Sequence, residues 1–206
     1  MHRYSQSNIS DQQEAKILFQ MTELALSESA NLISSLGQIP VRFNIDSIGL
    51  HNKTGLDSLF NPDESDMLAV CHSVEGAHPG NIVFLLEEKQ GHNLTKKILN
   101  DGHQLTDMSE MEEEALTEIG NIIVNNFLSH YVQVLHKTIN TLIPTLKRGH
   151  YVQLVDELSS DSEHNDFYLV KFSVEISSNN VNAYIIWFDH LCQWETKLAE
   201  TSNIKG

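Results

Sequence analysis

The chain has 206 residues, 40% of them apolar, enough for one large compact domain or two small ones, and disorder is not expected as its main state. Its formal charge of −15, with a sequence pI of about 5.0, repels nucleic-acid phosphates and anionic lipid, so neither is expected as a partner. The opening residues, "MHRYSQSNISDQQEAK", lack the apolar stretch of a secretory signal, and runs such as "IVFLL" and "AYIIWF" are too short to cross a bilayer; a cytoplasmic protein is the simplest expectation.

In chain order, residues 11–37 read as a helix, capped near Ser10 or Asp11 and stopped by Gly37 and Pro40 in "SSLGQIP". "IPVRFNIDSIGL" follows as a strand. After the polar loop "HNKTGLDSLFNPDES" come "DMLAVCHSVEG" and "GNIVFLLEE", a strand pair joined by the turn-rich "GAHPG". A short helix, "NLTKKIL", closes this half. The order then repeats: a long helix at about 108–140, strands at "LKRGHYVQLVDEL", "DFYLVKFSVEIS" and "NVNAYIIWFDH", and a terminal helix around "QWETKLAE".

Residue matches support an internal duplication. Setting "LALSESANLI" (24–33) on "EALTEIGNII" (114–123) pairs Ala25 with Ala115, Leu26 with Leu116, Glu28 with Glu118, Asn31 with Asn121 and Ile33 with Ile123. "SVE" at 73–75 recurs at 173–175, a wider offset that places about ten extra residues between helix and strands of the second half, consistent with a longer helix. The expected fold class is therefore α+β: two pseudo-symmetric helix-plus-three-strand repeats, about 11–103 and 108–202, sharing one antiparallel sheet with two long helices packed on it. The halves, each small, are expected to form a single domain over 1–206.

On the second long helix, Leu116, Ile123, Phe127 and Val134 form a narrow apolar stripe with Ile119 beside it. Glu114, Glu118, Asn121 and Asn125 cluster within roughly 60° on the opposite side. Any surface helix needs a polar face, but asparagine serves a helix interior worse than glutamate or lysine does. Three of them, Asn121, Asn125 and Asn126, lie within six residues.

The combination "ALTEIGNI", with Glu118 and Asn121 three apart and Pro144 after 22 intervening residues, resembles the signature of the CheC, CheX and FliY family of chemotaxis phosphatases: Asp or Ser, three residues, Glu, two residues, Asn, twenty-two residues, Pro. The preceding "DMSEMEE" and the duplicated architecture are similar to CheC in particular. The resemblance implies hydrolysis of the aspartyl phosphate of a response regulator such as phosphorylated CheY, with Asn121 holding the attacking water in line and Glu118 engaging the regulator's lysine. It implies no cofactor bound by this chain, the Mg²⁺ being carried by the regulator. Phosphoryl transfer asks mainly for positioning and charge stabilisation, and an amide can both donate to and accept from a water.

The sequence departs from this pattern at Glu114, which stands where the family has Asp or Ser. In the first half Glu28 and Asn31 are kept as a possible second site, but Leu24 occupies the Asp or Ser position and Thr54 the proline's. The alternative implied is a non-catalytic binding module, related to flagellar-switch proteins of the same fold, that recognises a regulator or a CheD-like adaptor; Asn125 would then be a partner contact.

Other chemistries lack their patterns. Eleven histidines include no His-x-Glu, His-Glu-x-x-His or close paired spacing, so no metal site is expected. Cys71 and Cys192 read as buried small apolar residues. Neither a glycine-rich phosphate loop nor Gly-x-Ser-x-Gly occurs. The acidic run "MEEE" at 111–114 suits the positive end of a helix dipole, and Pro144 also suits a plain helix stop before a strand.

Overall fold

A computed structural model describes residues 4–52, 66–76, 79–100, 107–135, 138–159, 166–177 and 179–189. The elements are α1 (Tyr4–Gly37), β1 (Val41–Asn52), β2 (Asp66–Gly76), β3 (Gly80–Glu87), α2 (Glu88–Leu99), α3 (Glu110–Leu135), β4 (Ile139–Thr141), β5 (Thr145–His150), α4 (Tyr151–Ser159), β6 (Asp166–Ile176) and β7 (Asn179–Asp189). The expected terminal helix around 193–200, and most of the loop at 51–65, lie outside the described residues.

All strand pairings are antiparallel, in the order β1-β6-β7-β3-β2-β4, with β5 also on β2. Exchanging the two halves leaves this order unchanged. Each half also lends its first strand to the other: β1 pairs with β6, and β5 with β2. The ten additional residues of the second half fall mostly in its helix, since Leu135 lies 17 residues past Glu118 whereas Gly37 lies 9 past Glu28.

Alternation along β2 divides the core. Leu68, Val70 and Val74 face α1, α2 and α3; Met67, Ala69 and Cys71 face Tyr151, Leu154, Val155 and Leu158 of α4. A helix on the second face is a correction to the sequence reading, which gave "LKRGHYVQLVDEL" to one strand. The chain instead ends β5 at His150 and coils at once, because Tyr151, Leu154, Val155 and Leu158 recur with the helical period and bury together. The edge strand is also split: where β1 runs unbroken for 12 residues, its counterpart is interrupted at Leu142, Ile143 and Pro144.

Helix α1 is longer at its start than expected, and α3 is shorter than 108–140 at both ends. The left-handed residue that closes α1 is Gln38, not Gly37, and the Ser34 hydroxyl completes the stop by accepting from Val41 N at 2.9 Å. Helix α3 begins with a capping box: the Ser109 N–H donates to Glu112 Oε2 at 2.7 Å, and Glu112 N donates back to Ser109 Oγ at 3.3 Å. Glu112 is 1% exposed and meets His92 at 3.1 Å, so this one acid of "MEEE" does more than face a dipole.

The predicted stripe of α3 holds. Leu116, Ile119, Ile123 and Phe127 are buried, while Val134 near the helix end is only partly so. Phe127 and Tyr131 pack edge-on against Trp187, at centroid distances of 6.3 and 4.7 Å. Such contacts contribute about 0.5–1.5 kcal/mol each beyond area burial and fix the helix on the sheet.

His72 in β2 is fully buried, and neither ring nitrogen has a hydrogen-bond partner. Burial pushes its pKa from 6.5 down to about 4. The unfolded chain therefore takes up a proton near pH 6.5 that the folded chain accepts only near 4, and stability drains across that window as pH falls. The full cost is about 3 kcal/mol. Unfolding followed from pH 7 to 4 is expected to show a steeper loss in wild type than in His72→Leu; parallel curves would refute this.

Candidate functional site

The exposed side of α3 carries Met111, Glu114, Glu118, Asn125 and Ser129, with Asn121 half-buried along the same line. These positions recur every three or four residues, so they form one stripe opposite the packed face. Asn125 Nδ2 donates to Asn121 Oδ1 at 2.7 Å, which fixes the plane of the Asn121 amide. Its Nδ2 is thereby turned toward Glu118 Oε2, at 3.5 Å, the outer limit of a hydrogen bond. A carboxylate and an oriented amide thus stand together on a rigid helix. Of the predicted residues, Glu114, Glu118, Asn121 and Asn125 are brought together.

Asn126, the third amide, points elsewhere. Its Nδ2 donates to Ser29 Oγ of α1 at 3.0 Å, and Ser29 in turn donates to Ala25 O at 2.8 Å. It fastens the two long helices, a role its sequence position does not reveal.

The first-half pair has a different setting. Glu28 Oε2 lies 2.9 Å from His130 Nε2 of α3, so this carboxylate already has a cross-helix neighbour, whereas Glu118 meets Asn121 of its own helix. Asn31, exposed, lines a groove of about 510 Å³ between α1 and β1, with Phe19, Glu23, Leu26 and Arg42 among its walls. Pro144 is half-buried in the break between β4 and β5.

The remaining chemistry-bearing groups have structural settings. Burial drives the Cys71 thiol up to about 12, which leaves it protonated and inert; Cys192 lies outside the described residues. Arg148 of β5 joins Glu88 of α2 (3.0 Å) to Glu113 of α3 (3.2 Å). Among the described residues, no three His, Cys, Asp or Glu side chains gather as a metal cluster, and no helix is long and apolar enough to cross a membrane.

The class defined by this geometry is an α+β domain with a pseudo-twofold antiparallel sheet and paired long helices, one exposing a Glu and Asn pair. No protein-family model matches the sequence, and no characterised protein of similar sequence was found. Solved structures do match. Thermotoga maritima FliY superposes with a TM-score of 0.73, covering 94% of this chain and 98% of that one at 14% identity. A chain of the H. pylori FliM–SpeE complex gives 0.67, covering 97% and 98% at 11% identity. A chain of the Borrelia burgdorferi CheX–CheY–BeF3–Mg complex gives 0.53, covering 79% and 94% at 14% identity. At these identities the likeness establishes a shared fold. The sequence resemblance points nearest to CheC, whereas the structural likeness carries the fold common to FliY, FliM and CheX and does not single out CheC.

Proposed function

We propose that this chain is a phosphatase for the aspartyl phosphate of a CheY-like response regulator. The observation that carries this reading is the pairing of Glu118 with an Asn121 amide held by Asn125 on the exposed face of α3, at the family's spacing to Pro144. In the reaction a water attacks phosphorus, the bond to the acyl oxygen breaks, and aspartate and inorganic phosphate leave with one proton released. Asn121 positions that water through its remaining amide hydrogen and remaining lone pair. Glu118 receives the regulator's lysine and seats the helix at the partner's site. The regulator brings the acyl phosphate and Mg²⁺, which offsets charge on the phosphoryl oxygens. On this reading the protein works in the cytoplasm, where its substrate is made.

A second reading is a binding module for a regulator or a CheD-like adaptor. Three observations favour it: Glu114 at the Asp or Ser position, the Glu28 carboxylate taken up by His130, and the FliM match. Mixing the chain with phosphorylated regulators of its source organism and following loss of the phosphoryl group separates the two. Faster decay with wild type, kept within about twofold by Asn31→Ala because the exposed stripe of α3 is intact, supports the phosphatase. Tight binding with an unaltered lifetime selects the module.

A further inference from the structure

Beside the polar stripe of α3 the chain displays apolar side chains that the hydrolytic chemistry does not use. Leu142 and Ile143, between β4 and β5, are 52% and 89% exposed. They sit on an anchored knuckle. Leu142 N donates to Ser73 O at 3.0 Å, Pro144 restricts the backbone after Ile143, and Thr145 pairs at once with Cys71. A partner meeting this knuckle would have little conformational freedom to freeze out.

Its position relative to Asn121 follows from contacts along β2. Gly120 lies on Val70, so close that a Cβ there would come within 2.7 Å of Val70 Cβ. The next residue of β2, Cys71, pairs with Thr145, and Ser73 holds Leu142. The knuckle thus flanks β2 within three residues of the point on which Asn121's neighbour rests. The helix wheel gives the side. Glu113 reaches Arg148 of β5, and at about 100° per residue Asn121 falls about 80° around from Glu113, against about 140° for Glu118. Asn121 is therefore on the β5 border of the stripe, the side on which the knuckle lies. Met111, 65% exposed, lies on the Glu118 side of the same stripe.

Resting on the phosphatase reading for the identity of the partner, the geometry points to Leu142 and Ile143 as the apolar contact through which this chain docks on the folded response regulator, beside the acyl phosphate that Asn121 addresses. A lipid surface is the wrong occupant, because Glu114 and Glu118 stand exposed on the same face of α3 as Asn121 and the chain carries −15 overall. Those carboxylates instead complement a partner lysine. Burying one isoleucine side chain corresponds to roughly tenfold or more in affinity.

The test compares wild type, Ile143→Ser, Leu142→Ser/Ile143→Ser and the conservative Ile143→Leu, measuring KM and kcat for the phosphorylated regulator and Kd for its beryllofluoride-activated form. The serine variants are expected to raise KM and Kd about tenfold or more, with kcat within about twofold, unchanged thermal unfolding and near-normal values in Ile143→Leu. Unchanged KM and Kd, or a fall confined to kcat, overturns the assignment. A wild type that binds but does not hydrolyse sinks the phosphatase reading alone, and the Kd comparison then still decides whether the knuckle docks the regulator.

Discussion

Asn121→Ala is expected to lower catalysed dephosphorylation by about two orders of magnitude or more while leaving the Kd for the regulator within a few-fold. On the phosphatase reading the amide touches the nucleophilic water and little else: among the described residues its one short side-chain hydrogen bond is the 2.7 Å bond from Asn125. Misplacing a reacting atom by about 1 Å can cost on the order of a hundredfold, and here the positioning group is removed altogether. The same substitution improves helix propensity by a few tenths of a kcal/mol, so the variant should unfold no earlier than wild type. Lost turnover with preserved or raised Tm is a signature that damage to folding does not produce. Asn121→Asp sharpens the test. It keeps the shape but sets a second negative charge near Glu118 and against the phosphoryl oxygens, and it is expected to be at least as inactive. If either variant retains wild-type turnover, Asn121 is not the water-holding group.

How far the sequence discloses this arrangement depends on the range of each interaction. The stripe from Glu114 to Asn125 is set by helical geometry alone, so spacing was sufficient to place it. The matched letters of the two halves fall on both faces: Leu26 with Leu116 and Ile33 with Ile123 are buried, whereas Glu28 and Glu118 are both exposed. Contacts between the long helices are different: Asn126 with Ser29, and His130 with Glu28, join residues 97 and 102 positions apart. No local pattern carries them, and this is why Asn126 reads as a surplus amide and Glu28 as a copy of Glu118. The capping box of Ser109 and Glu112 was legible as Ser-x-x-Glu, and so was the period of Tyr151, Leu154, Val155 and Leu158. That second signal is masked by the strand which runs directly into it, since Gly149 lies within the strand and no residue separates His150 from Tyr151. His72 is hidden for another reason. A histidine inside a β-rich run reads as solvent-facing, and only the sheet order, with β2 covered on both faces, makes it core.

Gly120→Val is expected to destabilise the fold by about 3 kcal/mol and to abolish turnover with it. Gly120 sits mid-helix, where glycine costs about 1 kcal/mol relative to alanine, so its presence needs a compensating reason. That reason is the approach of α3 to β2: a Cβ at this position would lie 2.7–2.8 Å from Val70 Cβ, Cγ1 and Cγ2. The obstructing atoms belong to a short, branched, fully buried side chain that cannot swing aside. Alanine would set the helical gain against this overlap and come out net destabilising by about 1–2 kcal/mol; valine adds two further methyl groups to the same gap. For a chain of this size, 3 kcal/mol lowers Tm by about 6–12 °C. Asn121 is the next residue, so any retreat of α3 from β2 moves the amide off its line. The smaller residue Val70→Ala should therefore partly rescue Gly120→Ala in both Tm and rate, since the two substitutions share one contact. Strict additivity of the pair, with no rescue, would show that the glycine is kept for something other than this close approach.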